Sequence, residues 1–216
     1  MTPTILPAPI PRSSSELIEI LSRVSFASAV QIDVVDGIFA TPPSWPYEPV
    51  GSPHDVAEAL SPFDAEVDLM AYEAVAAARE WHDAGVRRFI FHIETLDGPD
   101  ELVTFKSDTG AAIGCSLSND TPLSALDAYL PVCDFVQLMG IARIGVQSEP
   151  FDERVLLRIQ QLKAEHPDLS VMVDGSVNAE TLPALRDAGA DRFAVGSAIL
   201  AADDPKDAYD ALSALV

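Results

Sequence analysis

Short apolar runs alternate with amphipathic segments along the whole chain. Ala29–Val35 and Phe135–Met139 are mostly apolar and are followed by turn residues, as is typical of strands buried on both faces. Ser13–Arg23 instead places Leu17 and Leu21 on one face, which indicates an amphipathic helix. The pattern therefore predicts strands and helices in strict alternation.

Eight strand-then-helix units account for the sequence without a linker. The predicted strands are Thr4–Ile10, Ala29–Val35, Glu66–Met70, Arg88–Ile93, Ala111–Leu117, Phe135–Met139, Val171–Val173 and Arg192–Val195. The predicted helices are Ser13–Arg23, Asp55–Leu60, Tyr72–Ala84, Asp100–Ser107, Leu123–Leu130, Phe151–Glu165, Asn178–Gly189 and Pro205–Leu215. This order predicts an α/β protein with a single (β/α)8 TIM barrel domain over residues 1–216.

Composition and charge argue against several classes of protein and of binding partner. No apolar run approaches the ~18 residues of a membrane span, and the N-terminus lacks the features of a secretory signal. Two cysteines support neither a disulfide framework nor a zinc site, so we expect a cytoplasmic protein. The 13 Lys and Arg residues against 34 Asp and Glu residues give a net charge of −21, which argues against nucleic acid and anionic membranes. This charge indicates a well-solvated acidic surface or an adaptation to high salt.

Polar residues mark the carboxyl ends of several predicted strands, where a β/α barrel places its active site. Asp33, Asp68 and Asp174 are the informative ones, because each lies in an otherwise apolar strand where an unpaired carboxylate is costly. A loop-capping role remains the alternative for each of them. His92 alternates with apolar neighbours, which favours a core histidine with satisfied hydrogen bonds.

Two loops near the C-terminus form a candidate anion site. Gly175-Ser176 and Gly196-Ser197 each follow a predicted strand, and glycine lets backbone N–H groups approach an anion closely. The last two such loops of a β/α barrel commonly bind phosphate, although two ordinary β/α turns remain the alternative.

Six motifs in register resemble those of the ribulose-phosphate 3-epimerase family. They are Gln31–Gly37, Asp68–Met70, Phe91–Glu94, Thr121–Leu123, Val173–Ser176 and Gly196–Ile199. The resemblance implies epimerisation of a ketopentose 5-phosphate at C3 through an enediolate. It assigns the two proton-transferring acids to Asp33 and Asp174.

The resemblance also implies a set of substrate-binding residues. Methionines that pack against the substrate fall on Met70 and Met139. Arg143 lies where this chain departs from the family's Gly-rich loop after the sixth strand, so it is a candidate for the phosphate contact that those glycines give up, and an exposed Arg without a role is the alternative. The phosphate itself falls on Gly175, Ser176, Gly196 and Ser197.

A divalent metal is implied at Gln31, Asp33, Asp68 and Asp174. The family uses two His and two Asp there, and this chain carries Gln31 and Asp68 at the His positions. An all-oxygen set favours Mg2+ or Mn2+ over Zn2+. Because three close carboxylates repel one another, a metal-free site with a protonated Asp is the alternative. No organic cofactor is implied.

Two other functions remain open. One is a catalytically silent barrel that binds a phosphorylated sugar, which the loss of the His ligands favours. The other is a related pentulose- or hexulose-phosphate lyase, although Lys106, Lys163 and Lys206 lie at no predicted strand end. A homo-oligomer is also possible.

Overall fold

The computed structural model describes residues 4–146 and 149–216, in which eight parallel strands form one sheet in the order β1-β8-β7-β6-β5-β4-β3-β2. The strands are β1 (Thr4–Pro7), β2 (Ala29–Val35), β3 (Asp64–Met70), β4 (Arg88–His92), β5 (Ala112–Leu117), β6 (Phe135–Met139), β7 (Ser170–Asp174) and β8 (Arg192–Val195). The Asp33 N–H donates to the Pro9 carbonyl at 2.9 Å and so joins the two ends of the sheet. The predicted TIM barrel is confirmed.

Helices follow the strands around the outside of the barrel. They are α1 (Ser14–Arg23), α2 (Ala57–Leu60), α3 (Ala74–Asp83), α4 (Asp100–Thr109), α5 (Arg154–Glu165), α6 (Leu182–Ala188), α7 (Ser197–Leu200) and α8 (Pro205–Ser213). Short 3-10 helices cover Pro53–Val56, Ile93–Thr95 and Leu123–Leu126. The main hydrophobic core lies between these helices and the strands, and Leu17, Trp81 and Phe105 are among its fully buried members.

The helix predicted for Leu123–Leu130 is wrong. Only the 3-10 helix Leu123–Leu126 forms, and turns carry the chain onward from it. The residue before a proline is disfavoured in the α region, so Pro131 works against helix at Leu130. This β/α unit therefore connects β5 to β6 without an α-helix.

The helix after β7 also begins later than predicted. Asn178 accepts hydrogen bonds at its Oδ1 from the N–H groups of Glu180 and Thr181, at 2.9 and 3.2 Å. These bonds close a turn before the helix, and α6 starts only at Leu182. Pro183 lies in the first helical turn, where its missing N–H leaves no bond unmade. Asn178 thus shapes the loop after β7 and does not cap α6.

Side chains that point into the barrel fall into three groups. The group toward the amino ends of the strands contains Glu66, Arg88 and Arg192. A small apolar cluster, separate from the main core, contains Leu6, Ala8, Ala29, Ile90, Phe135, Met172 and Ala194. The group toward the carboxyl ends is polar and buried, and it contains Gln31, Asp33, Asp68, His92, Ser116, Gln137 and Asp174. The groups interlock, since Gln31 is paired with Glu66 and Asp68 with Ile90.

None of the helices within residues 4–146 and 149–216 has both the length and the apolar character that a membrane crossing requires.

Candidate active site

A cavity of about 280 Å³ opens at the carboxyl ends of the strands. Asp33 from β2, Met70 from β3 and Asp174 from β7 contribute to its wall. The loops 175–178 and 196–198 form another part of the wall. Seven of the residues singled out from the sequence therefore meet at one place: Asp33, Met70, Asp174, Gly175, Ser176, Gly196 and Ser197.

Asp33 and Asp174 are buried carboxyl groups on the wall of this cavity. The pKa of Asp33 is well above its usual value, chiefly because of burial and then because of the charges of Asp174 and Asp68. Burial, followed by the charge of Asp68, raises the pKa of Asp174 to about 7. Both groups therefore hold a proton more readily than an exposed aspartate does.

Asp68 lies beneath the cavity and is fully buried. Its Oδ2 accepts a hydrogen bond from Gln137 Nε2 at 2.8 Å, and its Oδ1 lies 3.2 Å from His92 Nε2. Gln31 makes a similar contact to Asp33, since its Nε2 donates to Oδ1 at 2.8 Å. Side-chain amides thus donate to both carboxylates, and an imidazole nitrogen lies close to Asp68.

The loop after β7 has an unusual backbone. Gly175 has a backbone φ of +95°. Ser176 follows at φ +52°, in the left-handed region that residues other than glycine rarely adopt. A Cβ at Gly175 would lie 2.6 Å from Ile141 Cγ1, so this loop packs tightly on the loop after β6. Ser176 Oγ also donates to the Glu149 carbonyl. These contacts hold the Gly175-Ser176 segment against the cavity.

Arg143 lies at the edge of the site and is not part of the cavity wall. Its guanidinium is 73% exposed and donates to Glu149, with Nε 3.0 Å from Oε2. Glu149 lines the cavity and is mostly buried. The structure therefore pairs Arg143 with a carboxylate at the predicted phosphate site.

Met139 is also absent from the cavity wall. It is fully buried, and its Sδ lies 3.6 Å from Ser116 Oγ and 3.9 Å from Gln137 Nε2. Met139 packs against the buried polar side chains of the barrel, whereas Met70 lines the cavity.

Residues 1–200 match the model of the ribulose-phosphate 3-epimerase family. The chain belongs to this family. Relatives include the ribulose-phosphate 3-epimerase of Mycobacterium leprae, which is 29% identical over 98% of this chain and 94% of that enzyme. The Schizosaccharomyces pombe enzyme is 28% identical over 67% of this chain, and the match spans only 63% of that enzyme's length. Among solved structures, a 3-hexulose-6-phosphate synthase superposes over 100% of both chains with a TM-score of 0.72 at 16% identity, which shows a shared fold.

Membership of the epimerase family raises the question of whether the residues present suit a divalent cation. Gln31 Oε1 is buried and has no hydrogen-bond partner among the described residues, so it is available to an ion, and Asp68 Oδ1 has no aligned partner although His92 Nε2 lies 3.2 Å from it. Within residues 4–146 and 149–216, no three His, Cys, Asp or Glu side chains are already grouped as a metal centre. The donor chemistry fits a hard cation, which would have to compete with the hydrogen bonds that Gln31 and Gln137 donate to the carboxylates.

Sequence reasoning missed two parts of this epimerase-family site. Glu149 lies in an irregular segment with no strand to mark it, so no periodic pattern singled it out. His92 was interpreted as a core histidine with satisfied hydrogen bonds. It is fully buried, but neither ring nitrogen has an aligned hydrogen bond among the described residues.

Proposed function

We propose that this protein is a ribulose-phosphate 3-epimerase that moves a proton at C3 of a ketopentose 5-phosphate. The observation that supports this most is the pair Asp33 and Asp174, which reach one cavity from β2 and β7. A protein that only binds an anionic sugar gains little from two buried carboxyl groups facing its ligand.

Asp33 and Asp174 are assigned to opposite faces of the substrate. One removes the C3 proton to give an enediolate, and the other returns a proton to the opposite face. A general acid or base works best when its pKa is near the working pH. The pKa of Asp174, raised to about 7 by burial, suits this role at neutral pH.

The phosphate is assigned to the backbone N–H groups around Gly175, Ser176, Gly196 and Ser197. With a net charge of −21, the protein has no overall positive field to attract an anion, so local amide donors have to supply it. Gly196→Asp would place a carboxylate at this position and should abolish binding of sugar phosphate measured by calorimetry. Unchanged affinity would place the phosphate elsewhere.

A divalent metal, Mg2+ or Mn2+ in preference to Zn2+, is assigned to Gln31, Asp33, Asp68 and Asp174. When bound, it would supply positive charge beside the oxygen atoms that become negative in the enediolate. Anomalous diffraction from crystals soaked in Mn2+ tests the assignment. A peak about 2.0–2.6 Å from these oxygens supports it, and an empty site at millimolar Mn2+ contradicts it.

Exchange of solvent deuterium into C3 of ribulose 5-phosphate, followed by NMR, tests the reaction directly. The wild type should exchange this proton, and Asp33→Asn and Asp174→Asn should reduce the rate by a factor on the order of 100 to 10,000. Asp97→Asn is a matched control, since Asp97 is an exposed carboxylate on the loop after β4. A wild type that binds the sugar phosphate but exchanges no deuterium would identify a silent binder.

A cytoplasmic location also belongs to this proposal, because both cysteines are free thiols. Immunofluorescence or cell fractionation in the source organism tests it.

A further inference from the structure

His92 is a buried polar side chain of the barrel whose hydrogen bonds are not satisfied. Its side chain is fully buried, and both ring nitrogens lack an aligned hydrogen bond among the described residues. Leaving a buried N–H without a partner is costly, because the group loses its hydrogen bonds to water. A leucine or isoleucine would avoid this cost, so the imidazole needs a specific reason to be there.

Asp68 lies within reach of His92 Nε2. Phe39 packs against the imidazole with ring centroids 5.3 Å apart and covers it from the loop after β2. On the inner side, Nε2 lies 3.2 Å from Asp68 Oδ1, which also has no aligned partner. Two unpaired buried atoms of complementary type therefore face each other at hydrogen-bonding distance.

The second oxygen of Asp68 is already fixed. Gln137 Nε2 donates to Oδ2 at 2.8 Å, and Gln137 is fully buried on β6. His92 comes from β4, so the two donors approach the carboxylate from different strands. A carboxylate held at both oxygens cannot rotate about its Cβ–Cγ bond without breaking one contact.

We propose that His92 is a positioning residue, whose Nε2–H donates to Asp68 Oδ1 and, together with Gln137, fixes this carboxylate beneath the two acids. Its role in turnover rests on the proposed epimerase function. Asp68 lies close enough to Asp33 and Asp174 to act on both through its charge. His92 does not line the cavity, so it acts through Asp68 and does not touch the substrate.

Two substitutions at His92 separate positioning from packing. His92→Leu keeps much of the volume and removes the donor, whereas the amide of His92→Gln can replace Nε2–H. We expect His92→Leu to lower kcat by a factor on the order of 10 with KM nearly unchanged, and His92→Gln to restore most of kcat. Equal losses in both variants, or a change in KM alone, would overturn the proposal.

NMR of protein labelled with 15N in its histidine rings tests the hydrogen bond without reference to activity. The His92 signals are assigned by their loss in His92→Leu. We expect a proton on Nε2 that exchanges slowly with water and shifts in Asp68→Asn but not in the exposed control Asp97→Asn. An Nε2 without a proton, or one unaffected by Asp68→Asn, contradicts the proposal.

The two measurements fail separately. If the wild type exchanges no deuterium into the sugar while the Asp68-dependent Nε2–H signal is present, the epimerase proposal fails and the positioning of Asp68 stands. If deuterium exchange occurs and the Asp68-dependent Nε2–H signal is absent, the epimerase proposal stands and the positioning role of His92 fails.

Discussion

The two ends of the barrel interior differ in the charged partners that surround their buried carboxylates. At the amino ends of the strands, the fully buried Glu66 accepts a hydrogen bond from Arg192, and Arg88 Nη1 lies 3.7 Å from it. The Arg192 guanidinium also lies over the Phe135 ring, 4.7 Å from its centroid. One carboxylate here has two positive partners.

At the carboxyl ends, three carboxylates share His92 as an ionisable partner, and its positive charge only partly offsets the burial and the Asp68 charge that raise the pKa of Asp174. Asp33, Asp68 and Asp174 lie close enough to raise one another's energy, and no Lys or Arg belongs to the described cavity wall. The hydrogen-bond donors to the carboxylates there include the amides of Gln31 and Gln137 and the backbone N–H of Gly175, and the imidazole of His92 lies 3.2 Å from Asp68. Two guanidinium groups thus face one buried carboxylate at the amino ends, whereas one imidazole faces three carboxylates at the carboxyl ends.

The largest effect on stability should come from removing a positive partner of Glu66 at the amino ends of the strands. Arg192→Met removes the closer partner of Glu66, and breaking a buried ion pair from one side costs about 3–5 kcal/mol. Denaturant unfolding should show this loss. The double variant Glu66→Gln, Arg192→Met should recover most of it, and a double variant as unstable as the single one would contradict the argument.

Removing a negative charge at the carboxyl ends of the strands should instead increase the stability of the protein. Asp33→Asn takes away one of three mutually repelling carboxylates, so we expect the free energy of unfolding to rise by about 1–2 kcal/mol while activity is lost. The measurement is denaturant unfolding in EDTA, with Asp97→Asn as the control. A destabilised Asp33→Asn would mean that the charge is balanced after all.

The pH dependence of stability sharpens the same contrast. The pKa of Asp174 is raised by burial from 3.8 to about 7, so between these values the native state holds a proton that the unfolded chain has lost. The stabilisation is therefore complete below about pH 4 and disappears as the pH rises through about 7. In EDTA, the stability of Asp174→Asn relative to the wild type should increase over this range. A difference that is constant with pH would contradict the raised pKa.

The smallest effect is expected at the rim of the cavity. Glu149 is a carboxylate at the proposed phosphate site, and Arg143 holds it by an exposed ion pair. Glu149→Gln should strengthen binding of sugar phosphate a few-fold in calorimetry, because it removes one negative charge and frees the guanidinium. Arg143→Gln, the matched change on the other partner, should weaken binding. Equal effects of the two variants would exclude this electrostatic explanation.

The strands could be predicted because they are buried on both faces. Runs such as Ala29–Val35 and Phe135–Met139 match the structure residue for residue, since tertiary packing and local pattern agree there. The short helix Ser197–Leu200 was missed because four residues are too few to show a helical period. The helix prediction for Leu123–Leu130 was wrong because it gave the apolar residues of this segment more weight than the helix-breaking effect of Pro131.

The site was predictable to the extent that it lies on strands. Strand ends placed Asp33 and Asp174 correctly on the cavity wall, because the alternation of a barrel strand fixes which side chains point inward. The pairing of Arg143 with Glu149 depends on the path of an irregular loop, which no period encodes. The contact between His92 and Asp68 joins two strands at a distance that only the folded barrel defines.

The burial of Glu66 has an electrical consequence. Apolar side chains such as Leu6, Ile90 and Phe135 fill part of the barrel interior, and a medium of low polarisability screens fields poorly. The charge of Glu66, two residues before Asp68 on β3, accordingly raises the pKa of both Asp33 and Asp174, as the weakest of their named influences. Sequence changes around Glu66 can therefore shift the acidity of the two carboxyl groups while leaving the cavity wall untouched.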